Sequence, residues 1–245
     1  MTIFTPDDSE VTEIVLPDGS QASEVVAPDG SVVWTAAPDI PDSGVSRFEF
    51  EQNLTDSWGS FDLTGSGGLT YSTDSDSGSY ALSLDGADDV AENSTGPDIT
   101  NYTEFSVAAL VKTTDNGWFY MSSSITDYNL AIAVNSGNLE AFEFQGGSFS
   151  SVTGSTSIND GTYRWLTTTV DYETDAVDLY VGDTNDGSGS FDGSYGNGDA
   201  HLAIGSNVVN NDSHLDALLA DFRIYSKKLT GTEVSNLVNN GGING

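Results

Sequence analysis

Arg47-Phe48-Glu49-Phe50-Glu51 sets two phenylalanines on one side of an extended chain and two glutamates on the other. Successive side chains of a strand point to opposite faces, so this alternation predicts a β-strand with one buried and one wet face. Tyr80-Ala81-Leu82-Ser83-Leu84 alternates in the same way, and Phe105-Ser106-Val107-Ala108-Ala109-Leu110-Val111 reads as a more deeply buried strand. Segments 130–134, 139–144, 165–170, 177–181 and 201–204 extend the series, with Gly, Asn, Asp and Ser between them. Many short strands with turn-rich joints predict an all-β sandwich or jelly roll. One short C-terminal helix is expected. Thr230 stands three residues before Glu233, the spacing of a capping box, Val234, Leu237 and Val238 supply an apolar face, and Gly241 supplies a stop.

Upstream of this series lie two similar units. Glu13-Ile14-Val15-Leu16-Pro17-Asp18-Gly19-Ser20 is echoed by Glu24-Val25-Val26-Ala27-Pro28-Asp29-Gly30-Ser31, and Val32-Val33-Trp34 follows. Each unit is a β-branched run entering a Pro-Asp-Gly turn, where proline presets the first turn position and glycine supplies a positive φ. Residues 1–36 therefore read as a small N-terminal β-meander, 37–44 as a linker and 45–245 as the main domain. A two- or three-stranded unit buries too little to be stable alone, so docking or homo-oligomerisation is its expected role.

The 245 residues carry 38 acidic side chains against six basic ones, a formal charge of -32. The charge is spread along the chain, and the hydrophobic content of 37% suffices for a core, which argues against a disordered acidic tail. Such a charge makes a compact chain repel itself in dilute salt, and a Debye length of about 3 Å at molar salt screens most of that repulsion. The reading is a protein suited to high salt, as in halophilic archaea or their viruses; the rival is an ordinary acidic secreted protein. With no basic patch, nucleic acid is not an expected partner. Cysteine is absent, Met1 to Glu10 has neither a basic nor an apolar stretch of signal-peptide type, and no apolar run approaches membrane-spanning length. Export without a signal suggests assembly into a virus particle, and membrane insertion is not expected.

Several segments, in order, resemble the laminin-G-like, concanavalin A-like jelly-roll superfamily. Phe48 to Ser57 is similar to its first strand and "D-S-x-G" turn, and Ala81-Leu82-Ser83-Leu84-Asp85-Gly86-Ala87-Asp88-Asp89 to "A-L-x-F-D-G-x-D-D". Asp160-Gly161-Thr162-Tyr163-Arg164-Trp165 resembles "D-G-x-W-H-H", with Tyr163 at the usual Trp and Arg164 and Trp165 at the histidines. Val177 to Gly182 resembles "L-Y-V-D-G" without its Asp, and Asp221-Phe222-Arg223-Ile224-Tyr225-Ser226-Lys227-Lys228-Leu229-Thr230 is similar to "D-x-R-I-Y-N-R-A-L-S". The resemblance implies a concanavalin A-like jelly-roll sandwich. Relatives bind glycans, bind proteins or cement assemblies, and a few related jelly rolls are glycosidases, so function must be argued from a site. The opening units also resemble short segments of virion and tail proteins of prokaryotic viruses. Together these readings give a capsid- or tail-associated protein on the virion surface of a haloarchaeal virus. In that account residues 1–36 contact other virion proteins, and the jelly roll binds a host cell-surface glycan or glycoprotein. A purely structural decoration or turret protein and a halophilic glycoside hydrolase are the alternatives.

No catalytic residues are assigned. A retaining glycosidase needs two carboxyl groups about 5 Å apart. Glu140 and Glu143, three apart on a strand, face opposite sides, whereas Glu49 and Glu51 share a face that reads as solvent-exposed. His201 and His214 sit in no nucleophile motif or zinc spacing. Calcium is the expected ion. The resemblance implies Asp85, Asp88 and Asp89 as ligands, and Asp183, Asn185 and Asp186 form a second acidic loop that lacks the full twelve-residue calcium spacing. For ligand binding, Asn116, Trp118, Tyr120 and Tyr128 pair rings with amides in loop-like segments, and Trp58, Tyr71, Phe149 and Tyr195 are further loop-associated rings.

Overall fold

The computed structural model describes residues 24–26, 32–35, 43–123, 128–145, 148–191, 201–208, 210 and 212–240. The chain divides into two compact units, Met1–Asp39 and Ile40–Gly245. In the first, β1 (Glu24–Val26) pairs antiparallel with β2 (Val32–Thr35), the two runs on either side of the second Pro-Asp-Gly sequence. The first repeat unit, Glu13 to Ser20, lies outside the described residues.

The second unit is a jelly-roll sandwich of two antiparallel sheets. Its strands are β3 (Gly44–Phe48), β4 (Thr64–Ser66), β5 (Thr70–Ser72), β6 (Ala81–Asp85), β7 (Val90–Asn93), β8 (Glu104–Thr113), β9 (Gly117–Ser123) and β10 (Tyr128–Asn135). They continue with β11 (Asn138–Gln145), β12 (Ser148–Ser157), β13 (Arg164–Asp171), β14 (Ala176–Val181), β15 (Thr184–Ser190), β16 (His201–Ile204) and β17 (Asp216–Tyr225), and the chain closes with α1 (Gly231–Asn240). One sheet has seven strands in the order β12-β11-β10-β9-β16-β7-β4. The other has eight, with the path β15-β14-β13-β8-β17-β6-β5 and β3 on the same edge of β17 as β6. Among the described residues no helix is long and apolar enough to cross a membrane.

Phe48, Leu82, Phe105 and Phe222 from the eight-stranded sheet meet Ile132, Leu139, Leu202 and Ile204 from the seven-stranded one in the main core. β8 is buried over most of its length because its other face is covered too. Ala108 and Leu110 join Trp165, Tyr225, Val234 and Leu237 in a second apolar cluster beneath α1. The helix begins with the expected capping box. The Thr230 N–H donates to Glu233 Oε2 at 2.8 Å and the Glu233 N–H donates to Thr230 Oγ1 at 3.3 Å.

Under that second cluster sits a buried ion network. The Asp221 carboxylate accepts from Arg223 at 3.0 and 2.7 Å and from Arg47 Nη2 at 2.9 Å. The Arg223 guanidinium lies 5.1 Å from the Trp165 ring centre and 5.7 Å from that of Trp58. Thus the 221–230 segment supplies a structural anchor for the outer layer.

The alternating stretch that opens the domain is shorter as a strand than its pattern predicts. β3 ends at Phe48, and Phe50 and Gln52 take φ values of 55° and 57°. Both phenylalanines are nevertheless fully buried. Glu49 pairs with Arg47 at 3.1 Å, whereas Glu51 Oε1 accepts from the Ser79 N–H at 2.6 Å and the Tyr80 N–H at 3.2 Å. Gly44, read as the end of a linker, already pairs with Tyr225 in β3, and its Cα lies flat against the Trp58 ring.

Candidate functional site

The outer face of the seven-stranded sheet carries a cleft of about 480 Å³. Ala133 lines it, and the small residues Ala131 and Ala203 pack in the same apolar cluster as Trp118 and Phe142. Trp118 of β9 meets Phe142 of β11 edge-on, with ring centres 4.8 Å apart, and Phe142 meets Phe149 of β12 at 5.6 Å. Phe149 is 59% exposed, the one large hydrophobic among the described residues to be so. The row of rings thus runs from β9 across β10 to β11 and β12, from buried Phe142 to open Phe149 at its far end.

Polar groups stand beside it. Glu140, two residues before Phe142 and therefore on the same face of β11, lines the cleft while its side chain is largely buried. Asn135 Nδ2 donates to its Oε2, and Thr153 Oγ1 donates to its Oε1 at 3.3 Å. Asn116 at the mouth accepts from the Gly137 N–H at 2.8 Å through its side-chain oxygen. The start of β9 is pinned by the Trp118 N–H donating to Ser213 O at 3.0 Å. That contact needs Gly117, because a Cβ there would stand 2.7 Å from His214 O and 2.8 Å from Leu215 Cα.

Of the ring and amide residues read from sequence, the fold brings Asn116, Trp118 and Phe149 together in this cleft and adds Phe142 and Glu140. Tyr120 is a correction. It is 1% exposed in the core between the sheets, 5.7 Å from the Phe222 ring, and burial holds its hydroxyl far above the usual tyrosine range. Strict alternation would have placed it beside Trp118. A bulge intervenes: Ala133 pairs with Trp118 and Ile132 with Tyr120, which leaves Phe119 as an extra residue on β9. Trp118 therefore faces out, and Phe119 and Tyr120 both pack inward. Tyr128 begins β10, paired with Ser123 and Phe144, and its side chain lies outside what is described, as does Tyr195. Trp58 packs beneath α1.

At the turn between β6 and β7, Asp85, Asp88 and Asp89 bring carboxylate oxygens within 4.8 Å of one another. Asp89 is 3% exposed. Its Oδ2 accepts the Asp85 N–H at 3.0 Å, but its Oδ1 is buried with no hydrogen-bond partner. Burial above all, and then the charges of Asp85 and Asp88, push its pKa up against the opposing Asp85 hydrogen bond. Three convergent carboxylates with one orphaned buried oxygen are a donor set that fits a hard oxygen-loving cation such as calcium.

The second acidic loop is a correction. Asp183, Asn185 and Asp186 belong to β15 and its entry, and they do not converge. The Asp186 carboxylate is saturated by β12, accepting from the Ser155 N–H at 3.0 Å, the Thr156 N–H at 3.0 Å and both side-chain hydroxyls. Gly154 makes room for it, since a Cβ there would lie 2.1 Å from Asp186 Oδ2. Asn185 bonds Ser188 instead, and Asp183 bonds Thr184. Asp186 therefore stitches the outermost strands of the two sheets together.

The paired carboxylates weighed for hydrolysis are also separated. Glu140 faces the cleft, and Glu143, also buried, falls in phase with the core residues Leu139 and Ala141 on the opposite face of β11. Glu49 and Glu51 are engaged with Arg47 and with the 79–80 backbone, respectively. His201 Nε2 contacts Glu92 at 2.8 Å, so it too is tied to a neighbouring strand.

Comparison with known proteins places this architecture. The botulinum neurotoxin serotype D binding domain superposes with a TM-score of 0.64 at 16% identity over 81% of this chain and 52% of that one. A botulinum neurotoxin type C structure, from work tying cell entry to interaction with two ganglioside molecules, gives 0.65 at 15% identity over 82% and 51%. Domain 4 of AbnA, a GH43 extracellular arabinanase of Geobacillus stearothermophilus solved in complex with arabinotriose, gives 0.64 at 22% identity over 80% and 98%. The chain spans about half the length of the neurotoxin domains and nearly all of the arabinanase domain. No curated protein matches in sequence. The family model of the Concanavalin A-like lectin/glucanases superfamily matches residues 84–235, more than half of the chain and the run from the end of β6 into α1. The chain belongs to that superfamily, in its laminin-G branch.

Proposed function

We propose that this protein is a non-catalytic saccharide-binding module whose ligand lies across the cleft on the outer face of the seven-stranded sheet. The observation that carries the reading is the row Trp118, Phe142 and Phe149, with Phe149 largely open to solvent. A solvated ring costs free energy unless a partner covers it, and a flat ring suits the apolar C–H face of a sugar. Asn116, Asn135 and Glu140 stand where they meet hydroxyls. Saccharide association in the arabinanase domain and in the neurotoxin structure supports this ligand class. The separation of the glutamates onto different faces and partners supports binding without hydrolysis.

In the fuller account the module is a virion-surface protein, capsid- or tail-associated, of a haloarchaeal virus. Residues 1–36 contact other virion proteins and copies of themselves, and the sandwich engages host-surface glycan or glycoprotein. The net charge of -32 and the paired Pro-Asp-Gly-Ser units support this account. Calcium held by Asp85, Asp88 and Asp89 brackets the β6–β7 turn within the same assembly.

A glycan array read in about 1 M salt, where surface repulsion is screened, tests the reading. The protein is expected to bind a subset of oligosaccharides saturably. Trp118→Ala and Phe149→Ala are each expected to weaken that binding at least about tenfold, which is 1.4 kcal/mol, with the thermal melting of the exposed Phe149→Ala variant near wild type. Unchanged binding in both variants refutes the site, and an array with no bound member refutes the function.

A further inference from the structure

We infer that the cleft selects uncharged saccharides and rejects sialylated, sulfated and uronate-bearing ones. This rests on the saccharide-binding reading above and adds the chemical class of the ligand. Its basis is where the cations are. The chain has six lysine and arginine side chains, and every one is already paired with a carboxylate. Arg47 and Arg223 share Asp221, Lys112 holds Asp74, Arg164 holds Asp160, Lys227 holds Glu233 and Lys228 holds Asp178. All six lie on β3, β8, β13 and β17 or directly after β17, which places them in the eight-stranded sheet and its C-terminal extension. The strands of the seven-stranded sheet carry no lysine or arginine. Its one histidine, His201, contacts Glu92.

Anionic sugars are recognised by charge-assisted bonds from Arg or Lys, or by the N–H groups at a helix N-terminus. The cleft offers neither. The α-helix among the described residues, α1, packs on the other sheet, and its first turn is closed by Thr230 and Glu233. Among the described residues, Glu140 is the one ionisable group lining the cleft. A ligand carboxylate or sulfate placed over Trp118 meets like charge there, within the field of a chain at -32. A neutral sugar meets something different. An ionised carboxylate accepts about four hydrogen bonds, and Asn135 and Thr153 supply one donor to each Glu140 oxygen. The remaining acceptor capacity suits ligand hydroxyls, which donate. Glu140 is thus a specificity-determining residue, acting as acceptor for hydroxyls and as a barrier to anions.

The test is an array of neutral oligosaccharides, each paired with its sialylated or sulfated counterpart, read at about 0.1 M and about 1 M salt. At the lower salt, bound neutral members are expected to exceed their charged counterparts at least about tenfold in affinity, with the gap shrinking at the higher salt as charges are screened. Glu140→Gln keeps the shape and an acceptor oxygen. It is expected to weaken neutral binding as well, since one acceptor oxygen is lost, but to cut the neutral-over-anionic ratio at low salt to about threefold or less. Charged counterparts bound as tightly as neutral ones through a Trp118-dependent site overturn the charge selection and leave saccharide binding standing. A ratio untouched by Glu140→Gln overturns the role of Glu140. An array with no bound member removes this inference together with the reading beneath it.

Discussion

Replacing Asp221 by Asn removes a charge from the least exposed ion network among the described residues and keeps its volume. Asp221 is wholly buried and the Arg223 side chain is 1% exposed. Arg47 keeps Glu49 at 3.1 Å, so the guanidinium that loses its carboxylate is that of Arg223, fixed between Trp58 and Trp165. Breaking a buried pair by removing one partner costs about 3–5 kcal/mol, because the surviving charge remains desolvated. For a domain of this size each kcal/mol moves the melting temperature by about 2–4 °C, so a fall of roughly 6–20 °C is expected. Urea denaturation at low and at molar salt is the assay. The wild type is expected to gain stability with salt as its surface repulsion is screened. The Asp221→Asn deficit is expected to persist, since buried pairs are screened far less. The double variant Asp221→Leu/Arg223→Met removes both charges and is expected to recover at least about 2 kcal/mol of the single-variant loss. A single-variant cost below about 1 kcal/mol, the range of a surface pair, refutes the placement of this network in the interior.

Three further outcomes follow from the sandwich itself. Asp186→Ala removes the carboxylate that holds β12 to β15 and is expected to cost about 2 kcal/mol, read by urea titration. Burial alone would raise the Asp186 pKa, and the bonds from Thr156 and Ser155 outweigh it and lower it. The stability it contributes is therefore complete above the ordinary carboxylate range and lost as pH falls through its depressed value, so the Asp186→Ala deficit should vanish in strong acid. Calcium in excess over chelator is expected to raise the melting temperature of the wild type, and Asp89→Asn is expected to abolish that rise; an equal rise in the variant rejects the site. Thr230→Ala is expected to cost about 1 kcal/mol by loss of the α1 cap, seen as a lower urea midpoint with unchanged slope.

The parts of the fold that were legible in the sequence are those where burial leaves a period. β10, β11, β13, β14 and β16 each cover the apolar segment predicted for them. The α1 cap and its buried Val234 and Leu237 sit where the capping box and apolar face put them. β12 and β15 left no such trace. Ser148–Ser157 and Thr184–Ser190 are built of Ser, Thr, Gly and Asn around a few apolar positions, because as edge strands they are held by backbone pairing and one cross-sheet carboxylate. Asp186 therefore read as a metal loop, and Phe149 as one loop ring among several. Asn116 and Trp118 were legible as a ring beside an amide. Glu140 was examined only as half of a catalytic pair, since its proximity to Trp118 depends on β11 and β9 flanking β10. Tyr120 was misplaced because a one-residue bulge is silent in a hydrophobic pattern. The pattern Trp-Phe-Tyr-Met is apolar at every position, so nothing marks where the phase changes.

That extra residue at Phe119 has a wider consequence. In a regularly pleated strand, the residues presented to solvent and those presented to the core are locked to one another, and neither set can be shifted alone. β9 escapes the lock. Before the bulge it answers to the cleft, and after it Tyr120 answers to the interior. The ring at position 118 can thus be exchanged for another ligand-reading side chain without disturbing Tyr120 or its contact with Phe222. On the proposed saccharide-binding reading, the bulge makes the recognition surface a replaceable fitting on a fixed chassis, so that related chains could share this interior and still differ in the sugars they hold.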